Sequence, residues 1–599
     1  MANLTFPSNP TNGQKVTVND KVFVYSNTTS RWTATRFQIF GNLTGDFTIA
    51  PPELSLSNNT VAFDTTGETV YITYTVDQDV KATIANNGIA NSSYANVTLH
   101  QTNNTIQITA GTEAFSGANV VLTVTNTRTS NTASISLSGS YQLFTQTTKL
   151  FPPDDSTGYN VNVGGTGNQN YGMGLGSAVA GDANTLFVGA PTYDDSSSKA
   201  STGAVFWWHK LGGTWTYGGR LQSSTTEASA LFGNELAYDS TNDRLLVGAM
   251  LEDSQTNGSG TNNGAVYVFD RSGSTYTQTE RLKSLWDDNS SINAHRFGSA
   301  IAMKKNYAVI GEYDNDASGT AVGWVDLWVE SSGSYSRYGL SNPILTANGG
   351  TGYGSAGGRW GFDVDIAEGD DEYIIATGIY RADTSSVSDA GAVAMYTATK
   401  TGQPPSGAPT RIKTAELFSP AANTSYFGMG VSVGTYSNDN TKATLAVGAP
   451  QEASGNGAVY IYTANATSAY ATWTQRQKVV VPNSANSDGS QYQNIQFGKE
   501  VAINDDQLIV SATGYDSSST TNVGRVYVYE RSGYGADFIF KERLDPDDDN
   551  IGISATSSFG INLSYVSGNT TLFVAASTAN NANVNDIQAY NSGTTYVFN

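Results

Sequence analysis

Three short tokens recur in fixed order from about residue 170 to the end of the chain, and they constrain the fold more than any other feature. The first is an aromatic-Gly pair, at Tyr171-Gly172, Phe232-Gly233, Phe297-Gly298, Trp360-Gly361, Phe427-Gly428, Phe497-Gly498 and Phe559-Gly560, seven units spaced 61 to 70 residues apart. Some 14 to 20 residues later comes an apolar run ending in small residues, as in "LFVGAP", "LLVGAM", "AVIGEY" and "LAVGAP". The third token closes the unit, as in "GAVFWW", "GAVYVF", "GWVDLW" and "GAVYIY". A repeat of this length cannot bury its own apolar faces, so the units must pack on one another.

Alternating large apolar residues put one side of each run against a neighbour, and Gly or Ala allows close backbone approach. The tokens therefore read as strands A, B and C of a four-stranded blade. Strand D is visible in "TYTQTERLKSL" at 275 to 285, "PTRIKTAELFSP" at 409 to 420 and "FIFKERLDPDD" at 538 to 548. The last unit ends on "GTTYVFN" with no strand D after it. A matching segment, "SYQLFTQTTKLFPPDD", lies at 140 to 155, before the first unit. Residues 140 to 152 are thus expected to close the ring, leaving no open edge. The fold class expected is all-β: a seven-bladed β-propeller over 139–599, preceded by an Ig-like β-sandwich over 39–138 and an N-terminal module over 1–38.

The Phe-Gly and Gly-Ala-Pro tokens resemble FG-GAP repeats, the units of the integrin alpha-subunit propeller. That resemblance implies a ligand-contact face at the B-to-C loops. Calcium-binding blades of that family carry a D-x-D-x-D-G-x-x-D loop between strands A and B. The loops here, among them "AGDANT", "EGDDE" and "GTYSNDNTK", lack that spacing. No metal and no cofactor is expected.

Residues 45 to 138 contain about eight short β-rich runs, including "VYITYTV", "TIQITA" and "NVVLTVT", separated by Asn, Gly, Ser and Thr; their number and spacing fit a sandwich. In residues 1 to 38, "KVFVYSNTTSRWTAT" reads as one hairpin behind an extended arm, with Val22, Val24 and Trp32 available to a docking partner. "LTFPSNPTNGQ" with "VFVYSNTTSRW" is similar to N-terminal segments of structural proteins from marine tailed phages, cyanophages especially. That resemblance implies docking to other virion proteins. With the closing strand entering from the C-to-D end, the first 139 residues are expected opposite the B-to-C loops.

Composition narrows the chemistry. Charged residues are 14 percent, the net charge is -21 and Cys is absent. Such a chain repels phosphate backbones and anionic lipid, and has no thiolate chemistry. Nucleic acid and membrane insertion are excluded as partners, and no signal peptide is read at "MANLTFPSNP". His100, His209 and His295 fall in separate units and read as surface or strand-end residues. The acid pairs Asp154-Asp155, Asp287-Asp288 and Asp547-Asp548 recur at one repeat position, which suits a turn better than a single catalytic centre. No enzyme activity is expected.

The remaining candidates are acids five residues past the small-residue position, Asp194, Asp253, Asp316 and Asp516, with Tyr193, Tyr313 and Tyr515 beside three of them. Tyr with a carboxylate can hold a sugar by stacking and hydrogen bonding. The leading expectation is a virion protein of a tailed phage, a fibre, spike or other appendage. It would be assembled in the host cytoplasm and released by lysis, docking by its N-terminus and touching a host glycan or protein through the propeller. Homo-oligomerisation is left open. A bacterial surface adhesin and a polysaccharide-acting enzyme are the second and third readings.

Overall fold

The alternating tokens form strands, and the chain is all-β, with one short helix (Glu452–Gly455) and one 3-10 turn (Ala466–Ser468) among the described residues. The structure, a computed structural model, describes the sheets and most turns; residues 1–10, 35–51, 153–172, 342–356, 482–493 and 546–557, with some shorter loop stretches, are outside the described residues. The chain divides into two compact units, Met1–Gln142 and Leu143–Asn599.

In the first unit, Lys15–Val18, Lys21–Ser26 and Arg31–Ala34 make a three-stranded sheet. The expected hairpin is present, Lys21–Ser26 pairing with Arg31–Ala34, and the extended arm before it is corrected: "KVTV" adds a strand, pairing Lys15 with Val24 and Val18 with Lys21. Residues 54 to 139 form two four-stranded sheets. Ile72, Ile106, Ile108, Val120, Leu122, Val124 and Ile135 are buried in their shared core.

The second unit contains seven four-stranded antiparallel sheets, each in the order A-B-C-D. Strands B and C are buried almost throughout; Thr185–Ala190 is buried at every position. Strand D is the most exposed of the four, as in Thr275–Lys283, where only Tyr276 and Leu282 are buried. The apolar cores lie between successive sheets: Tyr307, Val309 and Leu327 pack against Ile366, Tyr373 and Ile375 of the next. The A strands lie side by side in chain order, with Val179–Gly181 of the first beside Leu563–Tyr565 of the last.

The last sheet has the order Gln146–Leu150, Thr594–Phe598, Leu572–Ala576, Leu563–Tyr565. The segment near 146 is its fourth strand, with Leu150 paired to Thr595 and Gln146 to Phe598. A register shift falls at Val597/Phe598, the place where Ile461/Tyr462 and Val528/Tyr529 shift in other sheets. The bulge marks this strand as equivalent to the other D strands.

Among the described residues seven parallel bridges link the sheets, including Gly203 to Phe232, Gly264 to Phe297 and, at the seam, Leu175 to Gly593. The seam bridge corrects the register of the first repeat. Its counterpart of Phe232-Gly233 is Leu175-Gly176, not Tyr171-Gly172, which lies outside the described residues.

In strand B of the first five sheets a glycine, from Gly189 to Gly448, meets the backbone of the next sheet; Ser511 and Ala575 stand there in the last two. A Cβ on Gly448 would stand 1.8 Å from the Gly498 carbonyl oxygen. Gly448→Ala is expected to cost about 3 kcal/mol or more, since the backbone must move. Gly434→Ala, whose Cβ would meet nothing closer than 3.3 Å, should cost far less. Denaturant unfolding of both variants checks the ranking; equal midpoints would refute it.

Candidate functional site

The repeated acids do one structural task. Asp194 Oδ1 accepts from the Ser201 amide at 2.7 Å, Asp253 from Asn262 at 2.8 Å and Asp516 from Asn522 at 2.7 Å; Asp316 accepts from Ala321. Ser201, Asn262, Ala321 and Asn522 all have φ between 48° and 56°. Each acid fixes a left-handed residue where the B-to-C loop returns. Asp383 belongs to the series, accepting from Asp389 (φ 52) at 2.8 Å. It was legible at the same offset, five residues past Gly378. These acids are spread over different sheets and do not converge on one site.

The tyrosines differ among themselves. Tyr193 and Tyr515 are buried, and arginines lie over their rings, Arg220 at 5.0 Å and Arg525 at 3.8 Å. Tyr313 is half-buried and stands in a larger cluster that the repeats do not share. Arg296 and Arg359 lie over its ring at 5.3 and 5.4 Å, and Arg296 Nη1 donates to its hydroxyl at 2.6 Å. Asp314 pairs with both arginines, 2.7 Å from Arg296 Nε and 3.5 Å from Arg359 Nε. Arg359 Nη1 donates to Tyr380 Oη at 3.1 Å.

Aromatic rings continue from there in one row. Ring centroids are 5.4 Å apart for Tyr313–Phe362, 4.4 Å for Phe362–Tyr380 and 5.3 Å for Tyr380–Tyr426. These residues come from the third, fourth and fifth sheets, at the end where each B-to-C loop begins and strand A starts. Arg296, Arg359 and Tyr426 each precede an aromatic-Gly pair and have φ of 59°, 59° and 54°. A left-handed conformation costs a side-chain-bearing residue about 1–2 kcal/mol. Long polar and aromatic side chains stand where the backbone would favour glycine.

Beneath this cluster lies a buried polar group. His295, Glu312 and Asp326 are fully buried, and Asn315 nearly so. The surface reading of His295 is corrected: its Nδ1 is 3.0 Å from Asn315 Nδ2 and 4.0 Å from Glu312 Oε2. Glu312 Oε2 accepts from Ser284 Oγ at 2.8 Å and from Asn315 Nδ2 at 2.7 Å, while Oε1 is buried without a hydrogen-bond partner. Burial, with repulsion from Asp326, pushes the Glu312 carboxyl up to about 8.

Three further carboxylates come from the A strands of the second and sixth sheets, Glu235 and Glu500, and from the residue just before strand A of the fourth, Asp363. Burial pushes all three up, helped by repulsion from Asp363 at Glu235 and Glu500 and from Asp365 at Asp363, which reaches about 7. Asp363 also ties two sheets together, Oδ2 accepting from the Val431 amide at 2.7 Å. Of the proposed docking residues, Val22 and Val24 lie in the middle strand of the N-terminal sheet and Trp32 in the third, opposite Tyr25. The Gly-rich stretches 164–170 and 349–356 lie outside the described residues.

Comparison with solved structures places the chain beside propeller-like proteins. It is similar to the periplasmic gluconolactonase of Pseudomonas aeruginosa (12% identity, 69% of this chain and 98% of that one, TM-score 0.37). It is also similar to an alpha-L-arabinofuranosidase of Fusarium graminearum (11%, 61% and 92%, TM-score 0.31) and the Trypanosoma rangeli sialidase (12%, 60% and 52%, TM-score 0.29). These similarities assign no residue of this chain a role. They do correct one expectation: with enzymes among the similar structures, the exclusion of enzyme activity is withdrawn. No curated protein matches the chain. Residues 215–269 and 473–529 match the FG-GAP repeat, each running from the D strand of one sheet to the C strand of the next.

Proposed function

We propose that residues 143–599 are a closed, seven-bladed FG-GAP propeller, that residues 54–139 are an Ig-like sandwich, and that the chain is an appendage protein of a tailed-phage virion. In this reading the N-terminal sheet docks to other virion proteins, and the propeller contacts a glycan on the host surface. The contact role is supported by one observation above all: the row Tyr313, Phe362, Tyr380, Tyr426 with Arg296 and Arg359. Tyr380 is buried and links the half-buried rings of Phe362 and Tyr426; with Tyr313 they form a row of centroid distances 4.4 to 5.4 Å whose exposed parts, flanked by guanidinium groups, offer a sugar an apolar edge and hydrogen-bond donors.

The virion assignment is supported by the resemblance of "LTFPSNPTNGQ" and "VFVYSNTTSRW" to phage structural proteins. Removing residues 1–38 should therefore cut the amount of this chain in purified particles at least tenfold, measured by quantitative mass spectrometry. The melting of residues 143–599 should be unchanged. Normal incorporation of the shortened chain would overturn the docking reading, and recovery of the chain with cell envelopes instead of particles would overturn the virion reading itself.

A further inference from the structure

We propose that Arg296 and Arg359 form a clamp for an anionic sugar, one bearing a carboxylate or sulfate on the ring. This deepens the glycan-contact reading above and rests on it. Asp314 is shared between the two guanidiniums, so two positive charges face one negative. Arg296 and Arg359 meet Asp314 through Nε as ion pairs, neither Nε making a hydrogen bond, and donate Nη1 to Tyr313 and Tyr380; neither Nη2 group makes a hydrogen bond among the described residues. About a third of each arginine side chain remains exposed, 34% for Arg296 and 29% for Arg359. Arg381, the other guanidinium nearby, is already paired with Asp389 at 2.9 Å.

A bare pair of arginines held by one carboxylate has a positive charge left over. In a chain of net charge -21, no broad basic field accompanies it. The site is therefore a local, geometric receptor for one acidic group, not an electrostatic trap for polyanions. Stiffness favours this further. Tyr313 holds Arg296 by a hydrogen bond and Tyr380 holds Arg359, so each guanidinium plane is oriented before the ligand arrives. An acidic group seated between the Nη2 donors puts its sugar ring beside Phe362, whose centroid is 5.4 Å from that of Tyr313, the ring the two guanidiniums already cover. The two Nη2 groups, one from each arginine, can donate to two oxygens of one acidic group, a fixed pair of donors that a flexible ammonium group does not copy.

The test is calorimetric titration of the full chain with three probes: an oligogalacturonate, a sulfated galactan fragment and a neutral galacto-oligosaccharide. The expected result is binding of at least one acidic probe, no less than tenfold tighter than the neutral one. Arg296→Gln and Arg359→Gln should each weaken the acidic probe about tenfold or more, in line with loss of a charged hydrogen bond. Arg359→Lys should recover little of it, and the neutral probe should be unaffected by all three. Because two separate arginines are tested, a folding failure in one leaves the other decisive. Preference for oligogalacturonate supports a carboxylate and preference for the galactan supports a sulfate; either sustains the clamp. Equal binding of acidic and neutral probes, lost in Tyr426→Ala, would overturn the clamp while keeping the glycan reading. Binding of none of the three would overturn the clamp, and absence of glycan-dependent attachment of the full chain to host envelopes would overturn the glycan reading.

Discussion

A chain cut to begin at residue 153 should fail to give a soluble, folded monomer, whereas one cut to begin at Leu143 should melt like the second unit of the whole protein. The ten residues between the two cuts supply the fourth strand of the last sheet. Phe144 is buried, its ring 6.0 Å from Tyr565 and its amide donating to Glu542 Oε2 at 3.1 Å. Leu150 is buried with Leu175, Phe573 and Val597. Losing a buried Phe costs about 3–5 kcal/mol and a buried Leu about 2–5 kcal/mol, against a total stability of roughly 5–15 kcal/mol for a typical domain. The cut also bares Thr594–Phe598, an apolar strand with an unpaired edge, which is a template for aggregation. Size-exclusion chromatography and calorimetry of both chains decide it; a monomeric chain from 153 with an unchanged melting temperature would show that the strand near 146 does not complete the sheet.

That closing strand was readable because outer strands of different repeats carry the same residues for the same reason. "TKLFPPDD" aligns with "ERLDPDD", and Leu150 and Leu544 are both buried. The repeat tokens were readable because backbone meets backbone where they fall, as at Gly203 beside Phe232. The first repeat hides its token for the complementary reason: Leu175 makes the bridge that an aromatic residue makes in the other repeats, so its Leu175-Gly176 lacks the aromatic signature that Tyr171-Gly172 carries. The N-terminal sheet gained a strand because "KVTV" is too short to stand out as one without its pairing partner.

The candidate site was legible only at Tyr313. Arg296 and Arg359 are 63 positions apart, a full repeat, and only the lateral packing of two sheets brings both to one tyrosine. The acids beside the tyrosines looked like ligands because Asp and Tyr together suit sugars. Their carboxylates instead hold left-handed loop residues, a need that the sequence shows only as an acid at a constant offset. Sequence repetition therefore reported the scaffold, and departures from repetition reported the site.

The buried acid beneath that site makes stability fall as pH rises, and Glu312→Gln should remove much of the fall. The folded-state value of Glu312 is raised, from 4.5 to about 8, so the folded chain holds a proton that the unfolded chain has released over that interval. Its stabilising contribution is complete below about 4.5 and is lost as pH climbs through 8, by roughly 5 kcal/mol if this group titrates alone. Asp326 is raised too, chiefly by burial, and Asp363, Glu235 and Glu500 shift in the same direction. Opposing them, Asp243 and Glu368 are lowered, by hydrogen bonds from Tyr276 and Tyr238 and from Lys305 and Lys400 that outweigh burial, so they destabilise the fold only as pH drops into the acid range. The second unit should therefore be most stable near pH 5 and markedly less stable at pH 8. Glu312→Gln keeps an acceptor for Ser284 and Asn315 but cannot ionise, so it should lie close to the parent at pH 5 and above it at pH 8. Amide hydrogen exchange across 300–340 at both pH values reads this directly, because His295 and Glu312 sit beside Arg296 and Tyr313 and the third sheet would open first. A parent protein equally protected at both pH values, or a Gln variant weakened to the same extent at each, would mean that Glu312 is not held protonated in the folded chain.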